Sequence, residues 1–115
     1  MEEKTLFDKI LSKEIPSEAV FEDEDVYAFK DIDPQAPVHV LVIPKKKIGR
    51  FAELKEAGKG DVGVFFQKVS VVAAELGLEK DGYRVVINNG EHGQQTVEYL
   101  HAHILGGRQL QWPPG

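Results

Sequence analysis

The spacing of apolar and polar residues predicts two helices and several short strands. Apolar residues at helical spacing follow Thr5, a residue type that often caps helices, and Pro16 closes this first helix. A longer helical pattern is expected to begin at Asp61 as its cap and to stop at Gly77. Strand patterns occupy Ala19 to Phe21, Val26 to Phe29, Val38 to Ile43 and Tyr83 to Ile87. Closely spaced strands with segregated helices predict an antiparallel α+β domain.

The segment from Tyr99 to Gly107 has the alternation expected of one further strand. Successive side chains of a strand point to opposite faces. One face would therefore carry Leu100, Ala102 and Ile104, and the other would carry Tyr99, His101 and His103. The Cα atoms of the two histidines would lie roughly 6–7 Å apart, so both rings could reach one small group such as a phosphate or a metal ion.

These histidines are compatible with several kinds of site. His39 lies in an almost continuously apolar run, where a buried structural histidine is common. With His101 and His103 it offers the three nitrogens of a catalytic zinc site, but no carboxylate falls on the predicted histidine face. A neutral imidazole is also a nucleophile towards phosphorus, and Asn88 and Thr96 are neutral donors that suit charge on a phosphoryl oxygen. A nucleotide-binding or dimeric interaction module without catalysis is the remaining alternative.

Composition narrows the class of protein. A chain of 115 residues has the size of one globular domain, so we expect residues 1–115 to form a single domain. The net charge of −5 argues against nucleic-acid binding, because a polyanion binder needs a basic face. No stretch has the length of apolar sequence that a membrane span needs, so no membrane association is expected. Because the chain has no cysteine and no signal-peptide pattern, we expect a cytoplasmic protein.

Several stretches share their order and spacing with one known family. The first runs from Thr96 to Arg108 (TVEYLHAHILGGR) and is followed by the C-terminal residues WPPG. Upstream, AFKDI from Ala28, PQAP from Pro34 and HVLVIPKK from His39 occur in the same order. The chain thus resembles the Hint branch of the histidine-triad (HIT) superfamily over essentially its whole length. The resemblance implies a HIT-like α+β fold with a central antiparallel sheet of about five strands, one short N-terminal helix and one long helix.

The resemblance also implies an activity. Members of this branch hydrolyse purine nucleoside phosphoramidates and acyl-nucleotides such as adenylylated lysine, through a covalent intermediate on the middle triad histidine. That position is His101 here; His103 corresponds to the last triad histidine and His39 to an upstream helper histidine. The implied partners are a purine nucleotide of the AMP or GMP type and a second copy of the chain. We expect no cofactor and no metal.

Binding residues follow from the same resemblance. Phosphate contacts are expected from Asn88, Gln94, Thr96 and His103. The purine and ribose pocket is expected from Leu6, Phe7, Ile10, Phe29, Asp31 and Ile32, with the Asp31 carboxylate accepting from the ribose hydroxyls. Trp112 in the tail is expected to lie near the active site of the partner subunit.

Three positions depart from the pattern of the branch. Tyr99 replaces the first triad histidine, Gln94 replaces a glycine of the phosphate loop, and Lys47 stands where another histidine is usual. The side chain of Gln94 would either add a donor to the phosphate site or crowd it. Because of Tyr99, the alternative function is a non-catalytic or weakly catalytic nucleotide-binding dimeric interaction module.

Overall fold

A five-stranded antiparallel sheet with the strand order β1-β2-β3-β5-β4 forms the centre of the computed structural model, which describes residues 3–115. The elements are α1 (Leu6–Leu11), β1 (Ala19–Glu22), β2 (Val26–Lys30), β3 (Val38–Pro44), a 3₁₀ helix (Phe51–Glu56), α2 (Lys59–Glu75), β4 (Tyr83–Val86) and β5 (Ala102–Gly106). The predicted α+β class, with one short and one long α-helix, is confirmed. In the described part of the chain, no helix is both long and apolar enough to cross a membrane.

The two faces of the sheet are buried by different helices. Val40 and Val42 of β3 belong to the cluster that also contains Phe65, Val69 and Val72 of α2. Leu41 and Ile43 of the same strand point to the other face, where they join Phe7 and Ile10 of α1. A strand that is covered on both faces needs apolar residues at nearly every position, which explains the continuous apolar run of β3.

The capping residues of α1 and α2 show why each helix begins or ends where it does. Thr5 caps α1 as predicted, and it forms a capping box in which its side chain accepts from the Asp8 amide while the Asp8 carboxylate accepts from the Thr5 amide. The predicted cap at Asp61 is wrong: Gly58 is the N-cap of α2, and Asp61 lies in the first turn, where its charge suits the helix dipole. Gly77 ends this helix with φ +76°, as predicted.

The strand predicted to begin at Tyr99 is shorter than expected. β5 begins only at Ala102, and residues 97–99 form a bend. The Leu100 amide donates to the Ile48 carbonyl at 2.6 Å, outside the sheet ladder. Leu100, Ala102 and Ile104 still share the core face, so the predicted burial is correct although the predicted strand boundary is wrong. Because of the bend, the main-chain groups of Tyr99 and Leu100 make hydrogen bonds outside the sheet ladder.

Candidate functional site

Three histidines converge at the start of β5. His39 lies on β3 opposite Leu105, while His103 lies opposite Leu41, so the two histidines are diagonal neighbours on one face of an antiparallel pair. Their ring centroids are 5.2 Å apart, and those of His101 and His103 are 5.0 Å apart. The structure therefore brings together the three histidines that the sequence singled out.

A chain of hydrogen bonds determines which nitrogen of His103 carries a hydrogen. The Gln35 amide donates to Nδ1 of His39 at 3.0 Å, so the hydrogen of a neutral His39 is on Nε2. This Nε2–H donates to Nδ1 of His103 at 2.9 Å, which leaves the hydrogen of His103 on its own Nε2. Among the described residues, Nε2 of His103 is the one buried side-chain polar atom without a hydrogen-bond partner. It is a donor that lacks an acceptor.

His101 is held in the opposite tautomer. Its Nδ1 lies 2.7 Å from the Tyr99 carbonyl oxygen, which can only accept, so Nδ1 carries the hydrogen and Nε2 has a free lone pair. The ring is 5% exposed and packs edge-on against Phe7, with centroids 4.9 Å apart. The geometry thus places a bare imidazole nitrogen next to an N–H donor without a partner.

Burial keeps both imidazoles neutral. It lowers the pKa of His101 below 6.5, against the opposing effects of the Tyr99 carbonyl and the Asp31 carboxylate. Burial, together with the neighbouring His101 and His39, lowers the pKa of His103 to about 4. At neutral pH one ring is therefore available as a nucleophile and the other as a neutral donor.

Asp31 completes the cluster from the end of β2. Its Oδ2 lies 3.4 Å from Nε2 of His39, and its Oδ1 accepts from the Asp33 amide at 2.8 Å. Donor atoms of Asp31, His39 and His103 lie within 4.8 Å of one another, close enough to hold a metal ion. This set differs from the zinc site considered from sequence, since it contains Asp31 instead of His101. A metal at this place would have to break the hydrogen bond between the two histidines.

Three of the residues predicted to bind phosphate lie in the segment between β4 and β5: Asn88, Gln94 and Thr96. Val86 pairs with His103 at the end of β4, and Asn88 follows two residues later, in the loop that leaves this strand. The Asn88 side chain makes no hydrogen bond in the described part of the chain. Thr96 is exposed and, with Leu6, lines a surface groove of about 800 Å³ that includes none of the three histidines.

Gln94 has a conformation that favours glycine. Its φ is +64°, in the left-handed region, where a Cβ atom costs free energy. The residue is exposed, and its amide donates to the Glu91 carbonyl at 3.0 Å. The backbone therefore keeps the turn expected of a glycine although a side chain is present.

The residues predicted to bind the nucleoside divide into two groups. Phe7, Ile10 and Phe29 are buried together in the cluster on the α1 face of the sheet. Leu6, Asp31 and Ile32 keep accessible surface, and Ile32 is 99% exposed. The first group therefore supports the histidine cluster from behind, and the second offers surface to a ligand.

Sequence reasoning missed two glutamines that organise the site. The Gln95 side chain accepts from the Gly90 amide and donates to the carbonyls of Gly49 and Val97, so it ties the loop after β4 to the rest of the fold. Gln35 acts through its main-chain amide on His39. No local pattern gives either residue this role, although Gln35 lies in the PQAP stretch, because both act through contacts that form only on folding.

Comparisons with known proteins show the family of this chain. Residues 12–110 match the model of the HIT domain family. The chain is 55% identical to a 14 kDa zinc-binding protein of Zea mays, over 96% of this chain and 88% of that protein. It is 49% identical to the adenylylsulfatase HINT1 of Arabidopsis thaliana, over 96% of this chain and 76% of that protein. A crystal structure of a HIT family hydrolase from Legionella pneumophila has a TM-score of 0.87 at 43% identity and covers 97% of this chain and all of that chain. The chain belongs to the HIT family, in its Hint-like branch.

Proposed function

We propose that this protein is a hydrolase of purine nucleoside 5′-phosphoramidates and acyl-nucleotides of the AMP-lysine type, with His101 as its nucleophile. The observation that carries the proposal is the hydrogen bond from Nδ1 of His101 to the Tyr99 carbonyl. This bond leaves Nε2 as the atom with a lone pair, and a nucleophile needs that lone pair to attack phosphorus.

The reaction proceeds in two steps. In the first, Nε2 of His101 attacks the α-phosphorus, the P–N bond of the substrate breaks, and the amine leaves after taking up a proton from solvent. In the second, water attacks the same phosphorus and releases a proton to solvent, the bond to Nε2 breaks, and a nucleoside monophosphate leaves. The imidazole returns to its neutral state with Nδ1 still bonded to the Tyr99 carbonyl.

The neighbouring groups stabilise charge on the phosphate. Nε2–H of His103 is a buried donor without an acceptor, and a non-bridging phosphoryl oxygen would supply that acceptor. Asn88 and Thr96 supply further neutral donors, and the Asp31 carboxylate accepts from the ribose hydroxyls. No step needs a metal or a cofactor.

The names of relatives support hydrolysis at a nucleotide phosphorus. The relatives include an adenylylsulfatase from Arabidopsis thaliana, and the Legionella pneumophila structure is described as a hydrolase. Adenylyl sulfate and a phosphoramidate differ in the leaving group, while the nucleophile would attack the same phosphorus. We therefore include adenylyl sulfate among the substrates to be tested.

The proposal includes a homodimer formed through β4. This strand lies at the edge of the sheet, where its outer main-chain groups have no strand partner among the described residues. Tyr83 and Val85 on it and Phe66 on α2 are exposed apolar residues that line one surface depression of about 390 Å³. An apolar patch on an open sheet edge fits a second copy of the chain. Trp112 in the exposed tail would then contact the partner subunit. The cytoplasmic location stays a prediction.

A weakly catalytic nucleotide-binding module is the second candidate. It is favoured by Tyr99, whose side chain replaces an imidazole of the triad and donates its hydrogen bond to Pro44 instead of to the histidines. Turnover of adenosine phosphoramidate by the wild type and by His101→Ala separates the two candidates. The hydrolase proposal expects turnover that this substitution abolishes while AMP binding persists. Equal turnover by both proteins would refute it.

A further inference from the structure

The main-chain carbonyl of Tyr99 accepts the hydrogen bond from His101, but this does not explain why its side chain is buried. It is 1% exposed, and its hydroxyl donates to the Pro44 carbonyl at 2.5 Å across 55 residues of sequence. The phenol must be protonated to make this bond, and burial raises its pKa well above 10. Tyr99 is therefore a protonated hydrogen-bond donor at neutral pH.

The bond to Pro44 acts on the bend that precedes the nucleophile. Pro44 is the last residue of β3, whereas Tyr99 lies three residues before β5 and outside the sheet. The Tyr99 amide donates to the Val97 carbonyl at 2.8 Å, and the Leu100 amide donates to the Ile48 carbonyl at 2.6 Å. Together with the phenol bond, these contacts determine the direction of the intervening Tyr99 carbonyl, which accepts from His101.

The ring of Tyr99 supports the nucleophile by a second route. Phe7 packs edge-on against Tyr99, with centroids 6.3 Å apart, and edge-on against His101 at 4.9 Å. On another side, Nζ of Lys47 lies 5.7 Å from the Tyr99 centroid and donates to the Asp8 carboxylate of α1 at 2.8 Å. Lys47, like Tyr99, differs from the residue that is usual in the branch. The two residues that differ are therefore in contact.

We propose that Tyr99 is a positioning residue for His101: its phenol bond to Pro44 directs its own carbonyl onto Nδ1 of His101 and so keeps Nε2 unprotonated and oriented for attack. This inference rests on the proposed function for its kinetic consequence only. The tautomer of His101 follows from the geometry, whether or not the protein turns over a substrate.

The test compares Tyr99→Phe with Tyr27→Phe. Tyr27 is a matched control, since it is buried in the same cluster and its hydroxyl also has one hydrogen-bond partner, Ser17 at 2.7 Å. Its ring packs against Phe29, whereas the Tyr99 ring packs against Phe7, the residue that contacts His101. Each variant loses one phenol hydrogen bond, which is buried for Tyr99 and part-buried for Tyr27. A purely structural effect of losing such a bond would therefore appear in both variants.

Three measurements are made on each protein. The ¹⁵N chemical shifts of labelled histidines report the tautomer of His101, with its signals assigned from a His101→Gln sample. Kinetics with adenosine phosphoramidate give kcat, and AMP titration gives Kd. For Tyr99→Phe we expect a mixture of His101 tautomers and a kcat lowered about 10-fold with Kd unchanged, because small misplacements of a reacting group are costly. For Tyr27→Phe we expect the wild-type tautomer and the wild-type kcat.

The outcomes that overturn the inference are separate from those that overturn the function. A wild-type His101 with its hydrogen on Nε2 would overturn the inference without any variant, even if Tyr99→Phe did not fold. The inference also fails if Tyr99→Phe keeps the wild-type tautomer, or if Tyr27→Phe changes His101 equally. A wild type that turns over no nucleotide substrate would refute the proposed hydrolase, while the tautomer measurement would still decide the role of Tyr99.

Discussion

Nε2 of His39 lies 2.9 Å from Nδ1 of His103, so a residue on β3 determines which nitrogen of a histidine on β5 carries the hydrogen. The Gln35 amide fixes His39 in turn. The result is an N–H of His103 that is buried without an acceptor, which costs folding free energy of about 1–3 kcal/mol. Such a cost is typical of a group that is held ready for a ligand.

Removal of the His103 imidazole should separate activity from stability. For His103→Ala we expect kcat/KM to fall about 10²- to 10³-fold, because a donor to the phosphoryl oxygen is lost. We expect little loss in the free energy of unfolding, because an unpaired buried donor is removed and because Oδ2 of Asp31, 3.4 Å from Nε2 of His39, can replace His103 as the acceptor for His39. Steady-state kinetics and denaturant unfolding check both values. His92→Ala, at an exposed loop histidine, is the control. A large loss of stability with normal kcat/KM would contradict the assigned role.

Stability should fall as the pH is lowered from about 6.5 to about 4. His101 and His103 have pKa values below the 6.5 of an unfolded histidine, chiefly because of burial. In this window the unfolded chain binds more protons than the native one, so protons favour unfolding. Glu98, whose pKa is lowered by its hydrogen bonds to Arg50, loses its contribution only below 4.5. Urea unfolding at several pH values measures the slope, which should be smaller in His103→Ala. Stability independent of pH in this window would show that the native and unfolded chains bind protons equally, so that burial does not lower the pKa of either ring.

Asp31 should set the preference for ribose over deoxyribose. If its carboxylate accepts from the ribose hydroxyls, the wild type should prefer adenosine phosphoramidate to its 2′-deoxy analogue by about 10- to 100-fold in kcat/KM, the range of a hydrogen bond to a charged group. Asp31→Asn should lose most of this preference. Asp33→Asn, at the exposed carboxylate two residues away, should keep it. A preference that survives in Asp31→Asn would place the ribose elsewhere.

A charge on the β4 edge should dissociate the proposed dimer. Val85 on β4 and Val71 on α2 are both 40% exposed, which makes them a matched pair. Val71 lies about 100° around the helix from Ser70, which faces the apolar depression. Analytical ultracentrifugation should find a dimer for the wild type and for Val71→Arg, and a monomer for Val85→Arg. A dimer that persists in Val85→Arg would show that copies associate through another surface.

Local sequence patterns predict much of this fold, but they do not predict the tautomers of the histidines in the site. β3 is well predicted, since a strand covered on both faces leaves a continuous apolar run. The alternation around His101 also places Leu100 in the core, where the structure has it. The same alternation fits an extended bend, so the predicted β5 begins three residues too early. His39 accepts a hydrogen bond from the Gln35 amide, and the Tyr99 hydroxyl donates to the Pro44 carbonyl. Both contacts form only when the sheet assembles, so no local pattern predicts them.

The covalent intermediate is the most direct test of the nucleophile. Adenosine phosphoramidate is mixed with the protein and quenched within one turnover, and the site of modification is mapped by peptide mass spectrometry under conditions that preserve phosphoramidates. The account predicts one adenylyl group, which fragmentation of the peptide places on His101, and none in His101→Ala. Turnover without any adduct, or an adduct on His103 or His39, would contradict it.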